Sequence, residues 1–218
     1  MMRKWLKLKA LIRFMYVQRV SGFSVPEDPH FDPAATPWFR DKLRSAARYL
    51  EYGAGGSTRL ADRMGKATRT IENDRFFARA VRRHLSGSSP VEMTTVSLGL
   101  TGAWGVPVFA RPTRSRLARW REYVQAPFKS AAAFPDFVLV DGRFRRACAL
   151  EVTRQAQARG EQATILFDDY ALAPPRGYSA IEALLGKPEM LGRAAVFRTA
   201  AARAVTPADV DEALQDFR

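Results

Sequence analysis

The sequence predicts an α/β fold, a mostly parallel sheet with helices on both faces, and three observations carry that expectation. Short apolar runs alternate with stretches of helical periodicity along most of the chain, the order that builds βαβ units. Two of the runs, Val138-Leu139-Val140 and Ile165-Leu166-Phe167, are apolar without interruption, as suits strands buried on both faces. A glycine-rich segment, Gly53-Ala54-Gly55-Gly56, follows the first run and opens a helical stretch, and sheets of this kind bind ligands at such strand ends.

The chain has 218 residues, of which 47% are hydrophobic, enough for one substantial core. Residues 1–37 read as a basic N-terminal helix and a proline-rich connector, and residues 38–218 as the folded domain. The first sixteen residues hold five basic side chains and no acid. Trp5, Leu8, Ile12 and Met15 recur there at helical spacing, the pattern of an amphipathic helix on an anionic membrane or of a helix packed on its own domain or a partner. Lys7, Lys9 and Arg13 interrupt the apolar run, so it is not a secretory signal. Pro26, Pro29, Pro33 and Pro37 mark an irregular connector over residues 21–37.

From Trp38 to Arg48 the spacing is helical, and a short strand then ends at Glu51. Further strands are expected at Thr68–Ile71, Val91–Leu98, Phe137–Val140, Thr164–Phe167 and Ala194–Arg198. The helices between them are expected at Thr58–Met64, Arg75–Leu85, Arg143–Arg159 and Tyr178–Leu185. Thr206-Pro207-Ala208-Asp209 combines a capping threonine, proline at the first helical position and an acid in the first turn, and opens a last helix running to Phe217.

Charge and cysteine usage narrow the setting. The formal net charge of +13 attracts phosphate, anionic lipid or acidic substrates over about 10 Å, without choosing among them. A single cysteine, Cys148, excludes an internal disulfide framework and a zinc cluster of several thiolates, which points to the cytoplasm. The membrane reading of the N-terminal helix would add peripheral contact with the inner membrane surface. Arg111, Arg114, Arg116, Arg119 and Arg121 interleave with Trp120 and Tyr123, which suits an acidic acceptor, nucleic acid included, and equally a solvated helix.

The strand ends carry the chemistry. In Glu51-Tyr52-Gly53-Ala54-Gly55-Gly56-Ser57-Thr58 the glycines allow close approach of backbone to ligand. Thr58 stands where a dinucleotide fingerprint starting at Gly53 requires its third glycine, and Ser57 follows Gly56 with no P-loop lysine. Glu72, 19 positions after Gly53, has the spacing of an acid that accepts ribose hydroxyls. Asp141 ends the fourth strand and Asp168-Asp169 the fifth. Three carboxylates converging on neighbouring strand ends repel one another unless a cation joins them, and hard oxygen ligands suit magnesium. The other reading has Asp141 on the cofactor and Asp168 and Asp169 capping their loop.

With these motifs in this order, the sequence resembles the class I S-adenosylmethionine-dependent methyltransferases over roughly residues 45 to 200, through Leu50–Thr58, Thr70–Asp74, Pro135–Gly142 and Ile165–Tyr170. The resemblance implies a Rossmann-like sheet. It places Glu51 and the loop Gly53, Ala54, Gly55 and Ser57 against the amino acid part of S-adenosylmethionine, Glu72 on the ribose, and Leu98 and Gly99 against the adenine. Asp141-Gly142 and Asp168-Asp169-Tyr170 are similar to the metal-binding sequences of sugar and catechol O-methyltransferases, which implies magnesium at Asp141, Asp168 and Asp169. Arg143-Phe144-Arg145-Arg146 departs from the sugar enzymes, which carry an acid and a tyrosine there.

The expected reaction is methyl transfer to a hydroxyl of a small-molecule or sugar-type acceptor, with Asp141 as the base. No Asn-Pro-Pro-aromatic sequence is present and Cys148 sits in no proline-cysteine loop, so the usual base-methylating arrangements lack support and a small acceptor is favoured over nucleic acid. Two rivals stand beside this reading: a non-catalytic cofactor-binding protein whose arginines close the acceptor site, and a nucleotide-sugar or dinucleotide enzyme. Trp104 is read as a cofactor or acceptor wall, or as a core aromatic; His84 as a helix-end cation; His30 as solvated; Cys148 as a small apolar group. Tyr178 and Glu182 carry no decided role.

Overall fold

The computed structural model describes residues 12–109, 111–130, 132–172 and 177–217. Seven strands, β1 (Tyr49–Tyr52), β2 (Thr68–Glu72), β3 (Val91–Thr95), β4 (Phe137–Val140), β5 (Thr164–Phe167), β6 (Glu189–Leu191) and β7 (Ala194–Arg198), form one sheet in the order β3-β2-β1-β4-β5-β7-β6. The first five run parallel; β7 is antiparallel to β5, and β6 to β7. The order reverses between β1 and β4, where Tyr49 pairs with Phe137 and Tyr52 with Val140, and this reversal opens a crevice at the carboxyl ends of the strands.

Among the described residues, seven helices follow the N-terminal one: α1 (Ala35–Ser45), α2 (Gly56–Arg63), α3 (Arg75–Arg82), α4 (Arg114–Gln125), α5 (Arg145–Arg159), α6 (Glu182–Leu185) and α7 (Pro207–Ala213). Successive strand residues face opposite layers. Leu50, Tyr52, Val138, Val140, Ile165 and Phe167 pack with Trp120, Tyr123, Phe144 and Leu214. Tyr49, Phe137, Leu139 and Leu166 pack on the other face with Phe39, Leu43 and Leu60. Both layers are buried, and burying each such large apolar side chain contributes about 1.5–3 kcal/mol.

The elements differ from the sequence expectation in definite places. α1 begins at Ala35, inside the expected connector, because Ala35 and Phe39 both reach the core. β3 stops at Thr95 rather than Leu98, and β6 is an added edge strand of three residues with two exposed, too short and polar to show periodicity. The last helix has the expected Thr206–Asp209 capping box but ends at Ala213. Trp120 and Tyr123 are fully buried, so they do not interleave with arginines on a binding face; the apolar side of α4 belongs to the core.

The connector, irregular over residues 22–32, is bound to the domain. Arg59 donates to the Val25 carbonyl at 3.0 Å, Arg63 to Asp28 at 2.6 Å, and Arg193 to the His30 carbonyl at 2.6 Å. A Cβ on Gly56 would collide with the Asp28 carbonyl, so the connector crosses directly over the first turn of α2. Ahead of it, residues 12–16 are α-helical and Val17–Ser21 form a π-helical turn. Trp5 and Leu8 of the expected apolar stripe lie outside the described residues. Among the described residues no helix is long and apolar enough to cross a membrane.

Candidate cofactor and acceptor site

The loop after β1 needs glycine for a local reason. Gly53 has φ +96, and a Cβ there would press on the Gly142 backbone at 3.0 Å, so the loops after β1 and β4 meet as bare backbone. A Cβ on Gly55 would meet nothing within 4 Å, which marks open space beside the loop. Glu72, at the end of β2, accepts the Ala54 amide at 3.0 Å and the Asn73 and Asp74 amides at 2.7 Å each. It therefore joins the loops after β1 and β2 on the crevice. Burial pushes its carboxyl up to about 7, against the opposing pull of the three amides.

Glu51 and Ser57 are placed differently from the role that the resemblance gives them. Glu51 is fully buried, and its carboxylate accepts hydroxyls from Tyr49 at 3.1 Å, Ser57 at 2.6 Å, Thr58 at 2.5 Å and Thr70 at 2.8 Å. With four donors and no exposed surface, it clamps α2 to β1 and β2 from below. The Ser57 hydroxyl is spent on that clamp. The open part of the loop is at Gly55.

Asp141, Asp168 and Asp169 do converge, with one carboxylate oxygen from each lying within 4.8 Å of the others. Two cations hold them together, Arg145 of the Arg143–Arg146 run and Arg193, which the sequence reading did not include. Arg145, nearly fully buried at the start of α5, pairs with Asp141 Oδ1 at 2.8 Å and Asp169 Oδ2 at 3.5 Å. Its remaining donors go to the carbonyls of Gly142, Asp168 and Asp141. Arg193, in the turn before β7, pairs with Asp169 Oδ1 at 2.8 Å and stands 3.8 Å from Asp168 Oδ1. That Asp168 oxygen is buried without a hydrogen-bond partner. Burial, reinforced by Asp141 and Asp169, pushes the Asp168 carboxyl up to about 7.

A crystal structure of a methyltransferase-like protein from Silicibacter pomeroyi matches the fold with a TM-score of 0.72 and 30% sequence identity, over 88% of this chain and all of that one. The chain belongs to the class I methyltransferase-like family. A methyltransferase from Podospora anserina, whose structure is SAH-bound, matches with a TM-score of 0.48 and 13% identity over 74% of this chain and 75% of that one. No family profile and no curated protein sequence matches.

In this methyltransferase-like chain the loop after β3 is tied to the crevice, since the Asn73 amide donates to the Gly105 carbonyl at 3.3 Å and Thr101 bridges Pro107. Gly99 (φ +97) lies beneath the Arg119 guanidinium. Trp104, at φ +60, is 88% exposed, so it does not close the core. Cys148 is fully buried, as a small apolar group. His84 is exposed at the end of α3, and His30 is exposed in the connector. Glu182 accepts the Tyr170 hydroxyl at 2.7 Å, while Tyr178 is core. Arg145 was legible as the residue four positions after Asp141 at the start of a helix; Arg193 was not, because only the antiparallel return of β7 brings it to β5.

Proposed function

We propose that the chain is an S-adenosylmethionine-dependent methyltransferase acting on a hydroxyl of a small-molecule acceptor. The observation that carries the reading is Glu72, a buried carboxylate joining the open glycine loop to the end of β2 at the sheet's switch point. The residues fit the cofactor: the open space beside Gly55 leaves room for its amino acid part, and Glu72 has acceptor capacity for ribose hydroxyls. When bound, S-adenosylmethionine supplies an electrophilic methyl group on a sulfonium. Bond formation between an acceptor oxygen and that methyl would break the methyl–sulfur bond and leave S-adenosylhomocysteine, and Asp168, whose Oδ1 has no hydrogen-bond partner, would take the hydroxyl proton. This moves the base from Asp141, the residue expected from sequence, to Asp168, because Asp141 Oδ1 accepts a hydrogen bond from Arg145 at 2.8 Å whereas Asp168 Oδ1 accepts none.

The triad fits magnesium poorly. Arg145 and Arg193 already supply the cations that three converging carboxylates require, and Arg145 is fixed by three carbonyls. The same two arginines favour the second reading, a cofactor-binding protein with a closed acceptor site. Calorimetric titration with S-adenosylhomocysteine tests the cofactor step. Glu72→Ala is expected to weaken binding at least tenfold, about 1.4 kcal/mol, with excess chelator changing neither affinity nor melting temperature. Unchanged affinity in a folded variant would sink the assignment. Binding without transfer to any hydroxyl acceptor would select the second reading.

A further inference from the structure

Far from the aspartates, the N-terminal helix rests on α3 through a small set of contacts. Phe23 meets Phe77 edge-on at 5.3 Å and Phe14 at 6.0 Å, and Gln18 donates to Asp74 at 2.6 Å. These contacts hold the helix with an apolar stripe turned outward: Ile12, Tyr16 and Val20, four positions apart, are 58%, 59% and 68% exposed. Tyr16 and Val20, rather than Met15, continue the stripe expected from the sequence.

Between the helix and α3 lies a cavity of about 350 Å³ lined by Arg19, Val20, Phe76, Arg79, Arg83 and His84 among others, and no acidic residue lines it. Among the described residues Arg19, Arg79 and Arg83 pair with no carboxylate; Arg19 instead lies over the Phe76 ring at 5.9 Å. Three arginines lining one space repel one another until an anion enters, and their forked donors match phosphate. Val20 belongs to both features, so the apolar stripe and the basic cavity share an edge.

We infer that this face docks on an anionic membrane surface, with Ile12, Tyr16 and Val20 entering the interface and a lipid phosphate seated among Arg19, Arg79 and Arg83. A small free anion would use the cavity and leave the stripe in water; an apolar protein partner would use the stripe and leave the arginines unneutralised. A phospholipid bilayer presents phosphate and acyl chain side by side, as the two features require.

The test is co-sedimentation of the full chain with vesicles of phosphatidylcholine alone and of phosphatidylcholine mixed with phosphatidylglycerol. The chain is expected to sediment with the mixed vesicles only. Ile12→Ser/Tyr16→Ser/Val20→Ser and Arg79→Gln/Arg83→Gln are each expected to lower the bound fraction about tenfold, while leaving the melting temperature and S-adenosylhomocysteine titration of the wild type. Equal sedimentation with neutral vesicles, or wild-type binding by both variants, would overturn the inference. So would saturable binding of inorganic phosphate without vesicle binding, or self-association abolished by the stripe variant without vesicle binding.

Discussion

Two glutamates at neighbouring strand ends show how environment divides one chemistry into two roles. Glu51 has four hydroxyl donors and is closed to the crevice; Glu72 has three backbone amides and remains at its edge. Asp168 is a third case, a buried carboxyl held at about 7 with one oxygen unpartnered. A base with that value is ionised only above about pH 7, so kcat/KM should rise with pH through 7 and then level off. Asp168→Asn should abolish transfer and its pH dependence while leaving the affinity for S-adenosylhomocysteine intact. A pH profile retained in the variant would reassign the base. Glu72 was legible from its spacing behind the glycine loop. The clamp role of Glu51 was not, because it depends on Ser57, Thr58 and Thr70 being folded around it.

Strands read well from sequence where they are buried on both faces, as β4 and β5 are, since an uninterrupted apolar run has few other homes. β6 and the start of α1 read poorly, because tertiary packing rather than local pattern sets them. The connector was legible as irregular from its prolines, but its path across α2 was not: glycine at position 56 gives no sign that a neighbouring segment needs the space. Paired substitutions separate the two glycine roles. Gly56→Ala should cost about 1–3 kcal/mol of stability, read as a lower melting temperature, because the Asp28 backbone has to move. Gly55→Ala meets open space, so it should keep the wild-type melting temperature and weaken S-adenosylhomocysteine binding by filling the cradle. Equal melting of the two variants would count against the crossing.

At the scale of the whole molecule, the crevice places acids where burial holds them protonated. Glu72 and Asp168 rise from ordinary values of 4.5 and 3.8 to about 7 on folding. A raised folded value makes the contribution of each group fully present below its unfolded value and lost as pH rises through 7. The melting temperature of the cofactor-free protein should therefore fall from about pH 4.5 to about pH 7 and level off above, and Glu72→Gln should flatten that slope. A melting temperature rising over the same interval would refute the assignment. The pairing of β1 with β4 has a consequence for how the chain is made. Tyr49 finds β2 within the next few dozen residues synthesised, but its other neighbour, Phe137, emerges much later. Until then the nascent chain carries a central strand with one open edge, exposed to pairing with other chains. Closing so long a loop is entropically slow, so the crevice, which exists only once β4 lies beside β1, is completed late in folding.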